Sequence, residues 1–235
     1  MPRLSQFAVT VPAGAPYPAG VLLTTDWATV ATFATAVGTL VLAFATFAAV
    51  HSANRAARVA EAAFQANLRP VLVPSRLEDP VQKIRWLDHW AILQPAQGDV
   101  ELVDNSIYLA ISLRNVGAGL AVPIGWYIFT GPEFRVVDHV EPEQFRMQQR
   151  DLFVGAGDFG FWQAAIREVS DPYYVALSKD VRDGEAFTID LLYGDQEGGQ
   201  RTISRFNMVP VRAEEELRWY PTIVRHWNLD RPDPR

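Results

Sequence analysis

WATVATFATAVGTLVLAFATFAAV, from Trp27 to Val50, runs without one charged side chain. As a helix rising 1.5 Å per residue it reaches about 36 Å, which exceeds a hydrocarbon core of about 30 Å. The stretch therefore predicts a transmembrane helix over residues 27–50. Trp27 suits the interface, and Phe33, Leu40, Leu42, Phe44 and Phe47 supply the lipid-facing bulk that anchors it. Its threonines, Thr29, Thr32, Thr35, Thr39 and Thr46, are tolerable in hydrocarbon because a hydroxyl can bond back to a carbonyl one turn earlier. A buried helix of a soluble protein rarely stays uncharged for so long. A cleaved signal peptide is disfavoured by the length of the run and by the proline-bearing leader, residues 1–26, which is expected to be disordered.

The flanks bear on orientation. Arg55, Arg58 and Arg69 follow the apolar run, whereas the leader offers Arg3 and the amino terminus, with Asp26 at the boundary. The positive-inside rule then places the C-terminal part in the cytoplasm and makes the chain a single-pass protein of the cell membrane. Alanine-rich residues 51–69 should continue the helix as a stalk, ending where Pro70 disfavours helix in Arg69. Ala34 and Gly38 within the span, with Ala53, Ala56, Ala57 and Ala60 beyond it, form a narrow small-residue stripe on which two copies could pair.

After Pro70 the period changes. RPVLVPS, IRWLDHWAIL, SIYLAISLRN, AVPIGWYIF and FRVVDHV read as short strands punctuated by Pro, Gly, Asn and Asp. In SIYLAISLRN, Ile107, Leu109, Ile111 and Leu113 alternate with Tyr108, Ala110, Ser112 and Arg114, the pattern of a half-buried strand. Phe187, Ile189, Leu191 and Tyr193 alternate likewise. Gly194, Asp195, Gly198 and Gly199 then make a polar turn before a strand that starts near Arg201, which predicts a hairpin. EPEQFRMQQRD and FWQAAIREV are each expected to hold a short helix. The fold class is mainly β behind one long N-terminal α-helix, with a β-sandwich over residues 70–227 and a tail over 228–235 that is poorly ordered unless docked.

LRNVGAGLA at 113–121, LLYGDQEGGQRTISRF at 191–206 and the RPVLV segment after the arginine-rich helix resemble a group of bacterial single-pass membrane proteins of unknown function. The resemblance implies an immunoglobulin-like sandwich behind one membrane helix. It brings no catalytic residues.

Composition and motifs exclude more than they assign. A net charge of −6 argues against a general nucleic-acid binder, and without cysteine there is neither a disulfide nor a thiolate site. RNVGAGLA lacks G-x-G-x-x-G between a strand and a helix. Asn115 with Gly117 or Gly119 instead reads as a tight turn using left-handed backbone. GAGDFG has no kinase loops around it, and Asp195 with Glu197 lacks the remaining ligands of a calcium loop. His51, His89, His139 and His226 are scattered. Asp138, His139, Glu141 and Glu143 cluster in what Pro142 marks as a surface loop. Of the aromatic residues, Trp86, Trp90, Trp126, Trp162, Trp219 and Trp227 are expected mostly in the core.

The expectation is thus a membrane-anchored interaction or scaffolding module without catalytic residues, metal or cofactor. Its partners would be the lipid bilayer, another protein through the sandwich, and a second copy through the helix. The alternatives are an extracytoplasmic ligand-binding sandwich and a membrane-tethered hydrolase with an Asp/Glu site.

Overall fold

The computed structural model describes residues 26–130, 138–213 and 216–233. The leader up to residue 25 and most of the expected strand FRVVDHV lie outside them. The chain divides into two compact units, Met1–Arg58 and Val59–Arg235.

Helix α1 runs unbroken over Trp27–Asn67, 41 residues. Asp26 caps it: its carboxylate accepts from the Ala28 amide at 3.2 Å and from the Thr29 hydroxyl at 3.0 Å, which satisfies donors that a helix start leaves open. Thr32, Thr35, Thr39 and Thr46 each donate to the carbonyl four residues earlier, at 2.8–2.9 Å. Their hydroxyls are therefore satisfied inside the helix, as hydrocarbon requires. The helix is long and apolar enough to cross a membrane, and its most apolar window is 0% buried.

The second unit is mainly β. Its strands are β1 (Leu72–Pro74), β2 (Gln82–Arg85), β3 (Trp90–Leu93), β4 (Gly98–Val103), β5 (Ser106–Asn115) and β6 (Val122–Phe129). There follow β7 (Arg146–Met147), β8 (Phe159–Ile166), β9 (Phe187–Gly194), β10 (Arg201–Ala213) and β11 (Glu216–Asn228), with helix α2 at Pro172–Asp183. Every strand pairing among the described residues is antiparallel.

β8 pairs along one edge of β5, while β4 and β1 share the other edge end to end. Strands β11, β10, β9, β6 and β7 follow in that order. Among the described residues the two halves pair at Trp219 and Gly98, and the ladder folds over there into a sandwich of two layers. Ile107, Leu109, Ile111 and Leu113 of β5 then meet Phe187, Ile189, Leu191 and Tyr193 of β9 in one core, with Trp126 and Trp162. Tyr174, Leu177 and Val181 of α2 enter the same core.

Three expectations are corrected here. IRWLDHWAIL is not one strand but the β2–β3 hairpin, because residues 86–89 turn and the Trp86 amide donates to the His89 carbonyl at 2.9 Å. FWQAAIREV is not helical but mostly β8, since every second residue, Trp162, Ala164 and Ile166, fits the core between the layers. SIYLAISLRN is buried on both faces, because the hairpin packs Ile84, Trp86, Ala91 and Leu93 onto Tyr108 and Ala110. EPEQFRMQQRD forms a single 3-10 turn at Pro142–Gln144 and then β7. Helix α2 had no place in the expectation; Asp171 caps its start, accepting from the Tyr173 amide at 2.9 Å, and Gly184 ends it at φ +67°.

The tail up to Asp233 is docked rather than loose. The Leu229 amide donates to the Arg201 carbonyl at 3.0 Å, and the Asn228 amide to the Asp233 carboxylate at 2.9 Å.

Candidate functional site

A cavity of about 370 Å³ opens where the free edge of β8 meets the segment after β7. Its wall is built from separate parts of the chain: Arg85 and Trp86 at the end of β2, Trp126 of β6, Gln148 to Arg150, Gln163 to Ala165 of β8, and Arg167 just beyond. Gln148 locks the segment in place. Its amide donates to the Ile124 carbonyl at 2.8 Å, its Nε2 donates to the Gln163 carbonyl at 3.0 Å, and its Oε1 accepts from Trp162 Nε1 at 3.0 Å. A side chain that satisfies both a strand edge and a core indole has little freedom to swing away.

The cavity carries a strong charge bias. Arg85, Arg150 and Arg167 line it, and no acidic residue does, in a chain of net charge −6. Arg150 Nη1 donates to the Arg85 carbonyl at 3.0 Å, the Arg85 guanidinium lies 5.7 Å from the Trp90 ring, and that of Arg167 lies 5.7 Å from the Tyr108 ring. None of the three pairs with a carboxylate among the described residues. The neighbouring Arg146 is committed elsewhere: it grips Asp171 through two hydrogen bonds of 2.6 and 2.9 Å and lies over the Trp126 and Tyr173 rings. Burial opposes ionisation of Asp171, yet the bonds from Arg146 and the Tyr173 amide hold its carboxyl below the usual range. Two buried polar atoms of wall residues have no hydrogen-bond partner, Gln163 Oε1 and Trp86 Nε1.

A second polar group lies along β4 and the β2–β3 turn. His89 bonds to Asp88 at 3.0 Å and to Glu101 at 3.1 Å, and the Tyr108 hydroxyl donates to Asp88 at 2.8 Å. Burial pushes Asp99 up to about 6, with the Glu101 charge acting in the same direction and His89 against it. Asp99 Oδ2 is buried without a partner. One carboxyl with a raised pKa gives an acid or a base, but among the described residues no nucleophile or second catalytic group is hydrogen-bonded to it. The closest thing to a nucleophile and base is Ser204 with His226 Nδ1, 2.6 Å apart. Ser204 has no exposed surface and is also bonded to Tyr193, whose hydroxyl accepts from the Leu72 amide, so the chain of bonds ties strands together inside the fold.

The residues singled out from sequence fall as follows. Trp27, Phe33, Leu40, Leu42, Phe44 and Phe47 are exposed along α1, as are Arg55 and Arg58. Arg69 is 7% exposed, donates to Thr202 at 3.0 Å and is ion-paired with Asp230, so it is held by the folded domain. Asn115 bonds to the Val71 and Gly117 amides and donates to the Gly119 and Val154 carbonyls. Gly117 and Gly119 are not left-handed; their reason is close approach, since a Cβ on Gly119 would stand 1.5 Å from the Leu68 carbonyl oxygen and one on Gly117 2.2 Å from that of Arg69.

In the β9–β10 turn Asp195 accepts from the Gly199 and Gln200 amides at 2.9 and 3.2 Å, with Gly194 before it and Gly198 at φ +75°. No group of three His, Cys, Asp or Glu that could hold a metal occurs among the described residues. Of the six tryptophans after the span, only Trp90 is exposed, at 65%. No motif could have flagged the cavity arginines, because 82 positions separate Arg85 from Arg167 and only the β5–β8 pairing brings them together.

No family model matches this chain, and no curated protein does. Among solved structures, a protein from Archaeoglobus fulgidus is similar over 56% of this chain and 93% of its own, at 10% identity and a TM-score of 0.23. At that score the likeness carries no argument. What fold and helix together define is a class: a membrane-anchored protein with a two-layer β-sandwich module.

Proposed function

We propose that the protein is a bacterial single-pass membrane protein whose immunoglobulin-like sandwich works in the cytoplasm as an interaction module for another protein. The observation that carries this is the outer face of the β2–β3 hairpin. Trp90, Ile92 and the turn residue Leu87 are 65, 63 and 84% exposed there, interleaved with the exposed cations Lys83 and Arg85. Apolar side chains gathered on one rigid hairpin and rimmed by two cations, with the exposed turn carboxylate Asp88 already bonded to His89 and Tyr108, are the composition of a recognition surface. The partner is therefore a protein surface apolar at its centre and acidic at its rim. The side of the membrane is supported by Arg55 and Arg58, exposed after the span.

The absence of cysteine makes the test direct. One cysteine is placed at Ser5 or at Gln196 and treated in intact cells with a membrane-impermeant maleimide. Labelling at Ser5 with protection at Gln196 is expected, and a photocrosslinker at Ile92 should then capture one discrete protein. Labelling at Gln196 before lysis overturns the orientation and favours a ligand of the envelope instead.

A further inference from the structure

The arginine-lined cavity has no occupant in the reading above, which concerns the outer face of the same hairpin; the two meet at Arg85 and Leu87. We propose that it is a binding site for a phosphate monoester, held by Arg85, Arg150 and Arg167.

The charge is the first argument. Three arginines from three segments line one cavity with no acidic residue among its described lining, while the chain as a whole is acidic. Asp171 is engaged with Arg146, and Asp88 with His89 and Tyr108, while Asp151 and Glu168, the exposed neighbours of Arg150 and Arg167, are not part of the lining. Cations concentrated in a concave site focus the field on an incoming anion.

The number and type of cation are the second argument. Guanidinium forks recognise planar or tetrahedral oxyanions by paired hydrogen bonds, and one fork already satisfies both oxygens of a carboxylate. A terminal phosphate has three oxygens and close to two negative charges, which gives each of the three arginines an acceptor.

Volume and lining set the rest of the ligand. A space of about 370 Å³ corresponds to roughly a dozen waters, far more than a bare phosphate fills, so an ester body fits beside it. Gln149 lines the cavity as an exposed amide, and the buried wall holds an unpaired acceptor at Gln163 Oε1 and an unpaired donor at Trp86 Nε1. Unpaired polar atoms behind a cavity are unusual and call for a partner. The site does not depend on which side of the membrane the sandwich occupies, so it stands or falls separately from the orientation.

The full chain is reconstituted in nanodiscs of phosphatidylcholine and titrated calorimetrically with phenyl phosphate, inorganic phosphate and benzoate. Phenyl phosphate should bind at one per chain, more tightly than either of the others, and more weakly as salt is raised. Arg167→Gln should weaken it about tenfold or more, the loss expected for one charge-assisted contact. Arg85→Gln should do the same, while Arg58→Gln, in the stalk, should change nothing; thermal melting of each variant confirms that the fold is kept. Nanodiscs containing phosphatidic acid separate the sources. Saturable binding of phenyl phosphate in neutral discs marks a soluble ester, whereas an Arg167-dependent change in tryptophan fluorescence seen only with phosphatidic acid marks a lipid headgroup. The proposal is overturned if benzoate binds as tightly as phenyl phosphate, if the arginine variants bind like the parent chain, or if neither probe nor lipid produces a saturable signal.

Discussion

The two outward faces of the sandwich are both covered by apolar side chains, but only one of them also buries charge. On the β5–β8 layer, Tyr108 and Ala110 lie under the hairpin residues Ile84, Trp86, Ala91 and Leu93, an apolar seal. On the β9–β10 layer Phe145, Leu192, Ile203 and Trp227 form an apolar cluster, and beside it lies an ion pair: Asp190 and Arg205 are 0 and 3% exposed and joined by two hydrogen bonds of 2.7 Å. The Arg205 guanidinium lies 4.7 Å from the Phe129 ring and 4.8 Å from that of Trp227, and it also donates to the Asp138 carbonyl. A dry apolar lid tolerates loss of volume in proportion to the hole left behind. A buried ion pair tolerates loss of both charges better than loss of one, because the survivor keeps its charge without a countercharge.

That contrast sets the largest expected effect. Asp190→Ala should destabilise the sandwich by about 4 kcal/mol, since Arg205 stays buried and loses its carboxylate. Asp190→Leu combined with Arg205→Met should recover most of it. Thermal melts of the full chain in detergent decide the matter; if the double variant is as unstable as the single one, the ion pair stabilises this face for a reason other than mutual neutralisation. On the apolar face Ile84→Ala should cost about 3 kcal/mol, and no second substitution of charge should restore it.

A smaller effect, of opposite sign, belongs to Asp99. Its carboxyl is pushed up to about 6 by burial and by Glu101, so in the folded protein its ionisation is disfavoured. Below about pH 4 it is protonated whether the chain is folded or not and contributes nothing. As pH rises past the ordinary value and through 6, the folded state loses stability relative to the unfolded one. Asp99→Asn should therefore stabilise the protein near pH 7.5 by up to about 2 kcal/mol, less whatever solvent screens from this partly exposed site. The gain should vanish at pH 4. A gain of equal size at both pH values would mean that charge is not its origin.

How legible the molecule was differs by region. The span was readable because hydrocarbon imposes one rule on every residue from Trp27 to Val50, and the two strongest strands because alternation at Ile107–Leu113 and Phe187–Tyr193 reports the core between the layers. What failed were places decided by tertiary contact. Phe159–Ile166 admits a helix by local preference, yet β5 offers a complete edge from Ile107 to Arg114, and pairing with it wins. Gly117 and Gly119 advertise turn chemistry in sequence, but their smallness is required by the backbone at Leu68 and Arg69, which no local pattern announces. The ion pair of Arg69 was illegible because its partner, Asp230, lies in a tail that reads as loose unless docked. The cavity arginines were illegible for the same reason, lying on segments that only the folded sheet brings together.

The smallest effect on stability should come from the residue most exposed to function. Trp90 lies opposite Arg85 on the hairpin, with its ring 65% exposed, and its neighbours on the inner side, Ile84 and Ala91, make the seal over β5. Replacing it by serine removes no buried contact of that seal and should change stability by less than about 0.5 kcal/mol. If the hairpin face meets a protein partner, the same change should abolish photocrosslinking from Ile92, because exposed tryptophan at the centre of a contact typically carries an outsized share of binding. A mixed outcome is informative in one direction only. Full crosslinking in Trp90→Ser moves the partner off this face, whereas a stability loss of several kcal/mol would show that the hairpin closes the sandwich through its outer residues as well, and the two faces would then be less different than their side chains suggest.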